Sequence, residues 1–158
     1  MCARWRPAHW GCWVVLSRFR SSGNLGCLVR TCAAVNGAGF ILLGGSIDPF
    51  DPNVIRATMG AVFRQRFVRT TCHELRRWVE RHKLQVVGAS PDGSVPYDKL
   101  QYRSPPLLVL GEERHGLDPQ QRSICEILVR IPVARGMDSL NLSVAGGILM
   151  YEALRSSQ

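Results

Sequence analysis

Three short blocks of this chain carry residue types at spacings that could do chemistry. The last runs from Ile131-Pro132-Val133-Ala134-Arg135-Gly136-Met137-Asp138 into Ser139-Leu140-Asn141-Leu142. An apolar strand passes through a Pro/Gly loop into a helix that opens on two polar residues flanking one leucine. Ser139 suits an N-cap, whose side-chain oxygen satisfies an orphan backbone N–H. Asn141, inside the first turn, offers both donor and acceptor groups that could face a ligand. Further on, Gly146-Gly147 costs about 1 kcal/mol per glycine against alanine, so close packing against another backbone is expected there.

The first block is Gly23-Asn24-Leu25-Gly26-Cys27-Leu28-Val29-Arg30-Thr31. Asn24 can cap a helix. Arg30 falls inside that helix, and with 3.6 residues per turn the spacing alone does not bring it to the Asn24 side chain. The middle block is Leu110-Gly111-Glu112-Glu113-Arg114-His115-Gly116-Leu117. Its bracketing glycines let the backbone approach a ligand closely. It has neither Gly-x-x-x-x-Gly-Lys nor Gly-x-Gly-x-x-Gly. Adjacent Glu112 and Glu113 would repel a triphosphate, so a neutral or cationic ligand fits better. Arg114 and His115 could face an RNA phosphate, or His115 could be a plain exposed loop residue. No Ser/His/Asp set and no metal cluster stands out.

The elements that must position these blocks alternate strand and helix. Strands are expected at Trp13-Val14-Val15-Leu16, Phe40-Ile41-Leu42-Leu43, Phe67-Val68, Leu84 to Val87, Leu107-Leu108-Val109-Leu110 and Ile127 to Ile131. Helical spacing of apolar residues predicts helices over 24–35, 53–64, 73–82 and 139–154. Residues 90–104 read as a polar loop with Pro and Gly. Unbroken apolar strands alternating with helices argue for an α/β domain with a parallel sheet. Ligands in such sheets gather at the carboxyl ends of strands. The loops near Gly44-Gly45, Gly111 to Gly116 and Pro132 to Asp138 therefore matter most. No linker or internal repeat interrupts residues 1–158, so one domain is expected.

The 158 residues carry a net charge of +8, and 18 of the 20 basic residues are arginine. Arginine's planar fork suits phosphate, and an excess of this size favours a polyanion, RNA or DNA first. The same excess could be solvated surface charge. Cys2, Cys12, Cys27, Cys32, Cys72 and Cys125 form no Cys-x-x-Cys and have no His at zinc-finger spacing. Buried free thiols in a reducing cytoplasm are expected rather than a disulfide framework. No apolar run approaches the roughly 20 residues that span a bilayer. Residues 1–16 weakly mimic a signal peptide, and their end reads as a strand instead.

In order, the three blocks resemble the motifs of the SpoU branch of the SPOUT methyltransferases, the TrmH-like RNA ribose 2′-O-methyltransferases. The first resembles Asn-x-Gly-x-x-x-Arg-Thr, the middle a Gly-x-Glu loop, and the last the Ser-Leu-Asn motif. Arg56-Ala57-Thr58-Met59-Gly60-Ala61-Val62-Phe63 resembles a connecting helix of that branch. The resemblance covers about residues 22–156. It implies an α/β SPOUT-type fold, a mainly parallel sheet flanked by helices with a deep C-terminal trefoil knot. It implies a homodimer with a composite site, RNA as substrate, S-adenosylmethionine as cofactor, and no metal or membrane. Leu110, Gly111, Gly116, Ile131, Pro132 and Leu140 fall at cofactor-binding positions. Asn24, Arg30, Glu113, Ser139 and Asn141 match the polar catalytic set.

The family's arginine is often described as general base. A guanidinium keeps its proton, with a pKa above about 12, so stabilising a developing alkoxide suits Arg30 better. The chain departs from the family at Ser22-Gly23, where many members carry Asp-Pro, and over the Trp- and Arg-rich residues 1–20. No separate RNA-binding domain is expected. A catalytically impaired knotted RNA-binding protein and an α/β enzyme for a small nucleotide are the alternatives.

Overall fold

The computed structural model describes residues 11–44, 48–103, 105–112 and 115–156. In chain order the strands are β1 (Trp13–Ser17), β2 (Gly39–Leu43), β3 (Phe67–Thr70), β4 (Val86–Ala89), β5 (Val95–Pro96), β6 (Leu107–Leu110) and β7 (Ile127–Arg130). The helices are α1 (Ser22–Ala34), α2 (Pro52–Thr58), α3 (Cys72–His82), α4 (Pro119–Ile124) and α5 (Leu142–Arg155). One sheet takes the order β3-β2-β1-β6-β4-β7-β5, every neighbouring pair parallel.

Alternate residues of the central strands feed two cores, as the two-residue pleat requires. Val14, Leu16, Phe40, Leu42, Leu108 and Leu110 point to one face, against Leu25, Leu28 and Val29 of α1, Val54 of α2 and Leu149 of α5. Trp13, Val15, Ile41, Leu43, Leu107 and Val109 point to the other, against Leu75 and Trp78 of α3 and Ile124 of α4. Burial on both faces is why these strands read as unbroken apolar runs. β1 lies inside the sheet between β2 and β6, registered Leu16 to Leu42 on one side and Leu16 to Leu110 on the other, despite its departure from the family's first-strand pattern.

Several elements differ from expectation for identifiable reasons. Helix α1 begins two residues early because Ser21 caps it, its Oγ accepting from the Asn24 backbone N–H at 3.2 Å. Asn24 is therefore not the cap, and its side chain is released for other work. The expected helix over 53–64 breaks: Met59 (φ 50°) and Gly60 (φ 83°) are both left-handed, and a 3-10 turn over Ala61–Arg64 follows. The break turns Val62 fully into the core. Strand β4 lies two residues later than expected, since Leu84 is still tied to α3 through its N–H to Val79 O at 3.2 Å. The expected loop 90–104 contains edge strand β5 and a 3-10 turn over Tyr97–Lys99. Helix α4 has no sequence expectation at all; six residues are too few for periodicity, and only its Asp118/Gln121 capping box marks it. Helix α5 starts at Leu142 rather than Ser139.

Candidate active site

The chain moves from β1 outward to β3, then returns to lay β6 on the other side of β1. That reversal is the topological switch point at which parallel α/β sheets hold ligands. The loops after β1, β6 and β7 all leave the carboxyl edge; the first leads into α1, which carries the first block, and the other two contain the middle and last blocks.

The first and last blocks meet directly. Asn141 is the N-cap of α5, its Oδ1 accepting from the Ser143 N–H at 2.9 Å and from the Ser143 hydroxyl at 2.7 Å. Its Nδ2 then donates to Asn24 Oδ1 at 3.2 Å, and the Ser143 hydroxyl lies 3.5 Å from the same oxygen. Residues 117 apart in the chain thus join the starts of α1 and α5. Asn141 both caps the helix and carries the inter-helix contact. Ser139 does neither: it is exposed, in the run of exposed residues from Pro132 to Ser139. Sequence reasoning passed over Ser143; its place two residues after an Asn, where Asx turns form, was the available signal.

Arg30 stands exposed on α1, and among the described residues no hydrogen bond or ion pair holds it. The expectation that spacing does not deliver it to Asn24 fits this placement. Glu113 and Arg114 lie outside the described residues.

The middle block folds on itself. Glu112 N–H donates to Gly116 O, and Gly116 N–H to Glu112 O, both at 2.8 Å. A Cβ on Gly111 would fall 2.1 Å from the Gly116 carbonyl carbon, so glycine is required there, and the φ of +66° at Gly116 favours glycine. The Leu110 side chain is fully buried, leaving only its backbone for a ligand. Its carbonyl already accepts from Gln121 Nε2 at 3.4 Å, which ties the loop to α4. In the segment after β7, Ile131 and Leu140 are half-buried and Pro132 is exposed. A turn closes there from Met137 N–H to Ala134 O at 3.2 Å. Between the β1 and β6 loops opens a cleft of about 320 Å³ lined by Ser17, Arg18, Arg20, Glu112, His115 and Asp118 among others. Arg18 (φ 48°) and Arg20 were not sequence candidates. His115 Nδ1 lies 3.3 Å from Glu112 Oε2.

Thiol chemistry is held off at the buried cysteines. Burial pushes the Cys12 and Cys125 thiols up to about 12 and raises Cys32 as well, so their nucleophilic thiolates are suppressed. All five described cysteines are free. They are not uniformly buried as expected: Cys27 is exposed, and Cys72 and Cys125 are half-buried. Among the described residues no group of three His, Cys, Asp or Glu stands ready for a metal, and no helix is long and apolar enough to cross a membrane. What remains is a polar node between two helix starts, glycine-lined backbone, and free guanidinium groups. Such an arrangement can align two bound reactants for group transfer.

Fold and site together define an α/β protein that builds its functional edge from loops at the carboxyl ends of a parallel sheet. The chain belongs to the SpoU rRNA methylase family, whose model matches residues 11–151. It is 32% identical over 148 residues to the 23S rRNA (uridine(2479)-2′-O)-methyltransferase of Streptomyces viridochromogenes, covering 90% of this chain and 52% of that protein. It resembles the AdoMet-bound rRNA methyltransferase of Sinorhizobium meliloti with a TM-score of 0.87 at 39% identity, covering 94% of this chain and 57% of that one. It also resembles the SpoU methyltransferase AviRb of Streptomyces viridochromogenes in complex with AdoMet, with a TM-score of 0.86 at 30% identity, covering 94% and 58%. The chain spans about half the length of the curated relatives it matches.

Proposed function

We propose that this chain transfers a methyl group from S-adenosylmethionine to a ribose 2′-hydroxyl of rRNA or tRNA. The observation that carries the proposal is the Asn24–Asn141–Ser143 node, where two motifs 117 residues apart converge beside the glycine-lined loop. The cofactor supplies an electrophilic methyl on a sulfonium. The residues present fit it: a Cβ on Gly116 would meet nothing within 4 Å, so the loop is open there, and the exposed run from Pro132 offers accessible backbone. Gly111, Gly116, Ile131, Pro132 and Leu140 would hold it, with Leu110 contributing backbone only.

The site would align the ribose 2′-oxygen with that methyl, the sulfur keeping the electron pair of its broken bond and the hydroxyl proton passing to water. Arg30 stabilises the oxyanion as it develops; it is a fixed cation rather than a base. Asn24, Asn141 and Ser139 orient the hydroxyl, and Glu113 orients Arg30. The same reading gives a single catalytic domain that acts in the cytoplasm and a trefoil knot in the path from β6 to α5. Consistent with such a path, α5 follows β7 yet packs its Gly146 against Leu110 of β6, across the intervening β4. It also gives a homodimer, supported by an apolar stripe on α5 in which exposed Val144 and Tyr151 flank half-buried Ile148.

Calorimetry with S-adenosylmethionine and tritium transfer to unmethylated RNA test the proposal. Arg30→Ala is expected to cut transfer by about 10²-fold or more while leaving cofactor affinity within a factor of about two. Full transfer by Arg30→Ala would remove its role. A chain that binds RNA but no S-adenosylmethionine would be an RNA-binding protein instead.

A further inference from the structure

The positive charge of this chain is concentrated. Residues 64–83 hold seven Arg and Lys against two Glu, which is five of the net +8. The fold places this stretch on edge strand β3 and on α3. Helix α3 buries Leu75 and Trp78 against the sheet. Its period then turns His73, Arg77 and Arg81 outward together at i, i+4 and i+8, and all three are exposed. The stripe is about 12 Å long. Arg66, Arg69 and Lys83 extend it, also exposed.

Among the described residues, Arg77 and Arg81 take part in no ion pair. Arg76, by contrast, is engaged: its Nη2 donates to the Ser123 carbonyl at 3.0 Å and the Ser123 hydroxyl at 2.7 Å. Glu74 is consumed by the capping box and by the Thr70 hydroxyl, 2.8 Å from its Oε2. Glu80 forms no ion pair within 4 Å among the described residues. Arg81 sits in the last turn, where a cation suits the helix dipole, but like charges at i, i+4 destabilise a helix slightly, so the Arg77–Arg81 pairing itself brings α3 nothing. The opposite side of the molecule differs in character. There, exposed Asp92 and Asp98 flank the two-residue edge strand β5, and α5 presents its apolar stripe.

We infer that the β3 edge and the outer face of α3 form a docking track for the sugar-phosphate backbone of RNA, outside the catalytic node. The inference rests on the methyltransferase reading for the identity of the polyanion. Because α3 follows the carboxyl end of β3, His73 lies at the functional edge and Arg81 near the far one. The track therefore leads a strand toward the site. Its contacts are to phosphates, so it supplies affinity and position without reading sequence. It lies away from the α5 stripe and stays open when that stripe is covered.

The test compares the parent chain with Arg77→Glu/Arg81→Glu and with Arg77→Lys/Arg81→Lys. Binding of unfractionated tRNA and of transcribed, unmethylated 23S rRNA is titrated from 50 to 300 mM salt, alongside S-adenosylmethionine affinity and methyl transfer. The Glu pair is expected to weaken RNA binding at least about tenfold and to flatten the dependence of log K on log salt by about 1.5, near 0.7–0.9 per lost contact. KM for RNA rises, kcat at saturating RNA holds within about twofold, and cofactor affinity is unchanged. The Lys pair retains binding within about threefold, which a merely misfolded surface could not explain. Equal RNA affinity and equal salt slope in the parent and the Glu pair would overturn the track while leaving the methyltransferase reading standing. A parent chain that binds neither RNA at 50 mM salt overturns both.

Discussion

Asn141 carries two tasks that substitution can separate. Its Oδ1 caps α5 through Ser143, and its Nδ2 reaches Asn24. Asn141→Ser keeps a good cap but is too short to donate to Asn24. Asn141→Ala loses both. Thermal unfolding should place Asn141→Ala about 1 kcal/mol below the parent and Asn141→Ser within about 0.5 kcal/mol of it. Transfer to RNA should fall in both variants, because the amide bridge to Asn24 is gone in each. If Asn141→Ser keeps parental transfer, the bridge is only a fastening between two helices. Ser139 was the more obvious cap in the sequence; the helix start lies three residues beyond it because Asn141 and Ser143 close an Asx turn. A one-turn choice of this kind is decided by local hydrogen bonding that residue types alone leave degenerate.

At the scale of elements, three helical glycines look alike in sequence and differ in what surrounds them. A Cβ on Gly26 would fall 2.5 Å from Ala57 Cβ and 2.7 Å from the Ala57 carbonyl carbon, so α1 and α2 would have to separate. On Gly146 it would meet Leu28 Cδ2 at 2.5 Å and Leu110 Cδ1 at 2.8 Å, the ends of flexible side chains. On Gly147 it would meet only Thr31 Cγ2 at 3.7 Å, an ordinary contact. Within this chain, the expected reason for the glycine pair, close approach to another backbone, is met at neither position of α5 and applies at Gly26 instead. Alanine in a helix gains about 1 kcal/mol over glycine, while overpacking costs roughly 1–3 kcal/mol. Denaturant unfolding should rank Gly26→Ala as destabilising, Gly146→Ala near neutral, and Gly147→Ala as stabilising by up to about 1 kcal/mol. A stabilising Gly26→Ala would mean that α2 yields freely.

The central strands were legible in sequence because burial on both faces leaves an apolar run that little else explains. Helices α1, α3 and α5 were legible because thirteen, eleven and fourteen residues are long enough for a period of 3.6 to show. Helix α4 and strand β5 were not, at six and two residues. The break after α2 was hidden because Val54 and Val62 keep helical spacing across it. Of the site, the three blocks were visible, but the contact between Asn24 and Asn141 is a tertiary fact. So is the cleft that brings Arg18 and Arg20 opposite His115.

The whole molecule presents two unlike sides. The β3 edge is basic. On α5, Val144 (49% exposed), Ile148 and Tyr151 (55% exposed) recur at helical spacing, beside an open groove of about 470 Å³ that reaches Tyr97. A stripe of apolar side chains on the outside of a helix otherwise packed into a core is expensive to leave in water, at about 25 cal/mol per Å², and marks an association surface. A second copy of this chain is the natural cover, since a two-fold contact needs only one self-complementary patch. Placing α5 in that contact also seats the neighbouring Asn24–Asn141 node near the junction, where a partner's side chain could complete it. Val144→Glu/Tyr151→Glu would place two charges on each side of the contact. Sedimentation between 1 and 50 μM should show the parent as a dimer and the variant as a monomer of similar helical content. If the site is composite, the monomer should also lose methyl transfer while a single chain still binds S-adenosylmethionine weakly. A parent chain that sediments as a monomer throughout that range, or a doubly charged variant that remains a dimer, removes α5 from the interface.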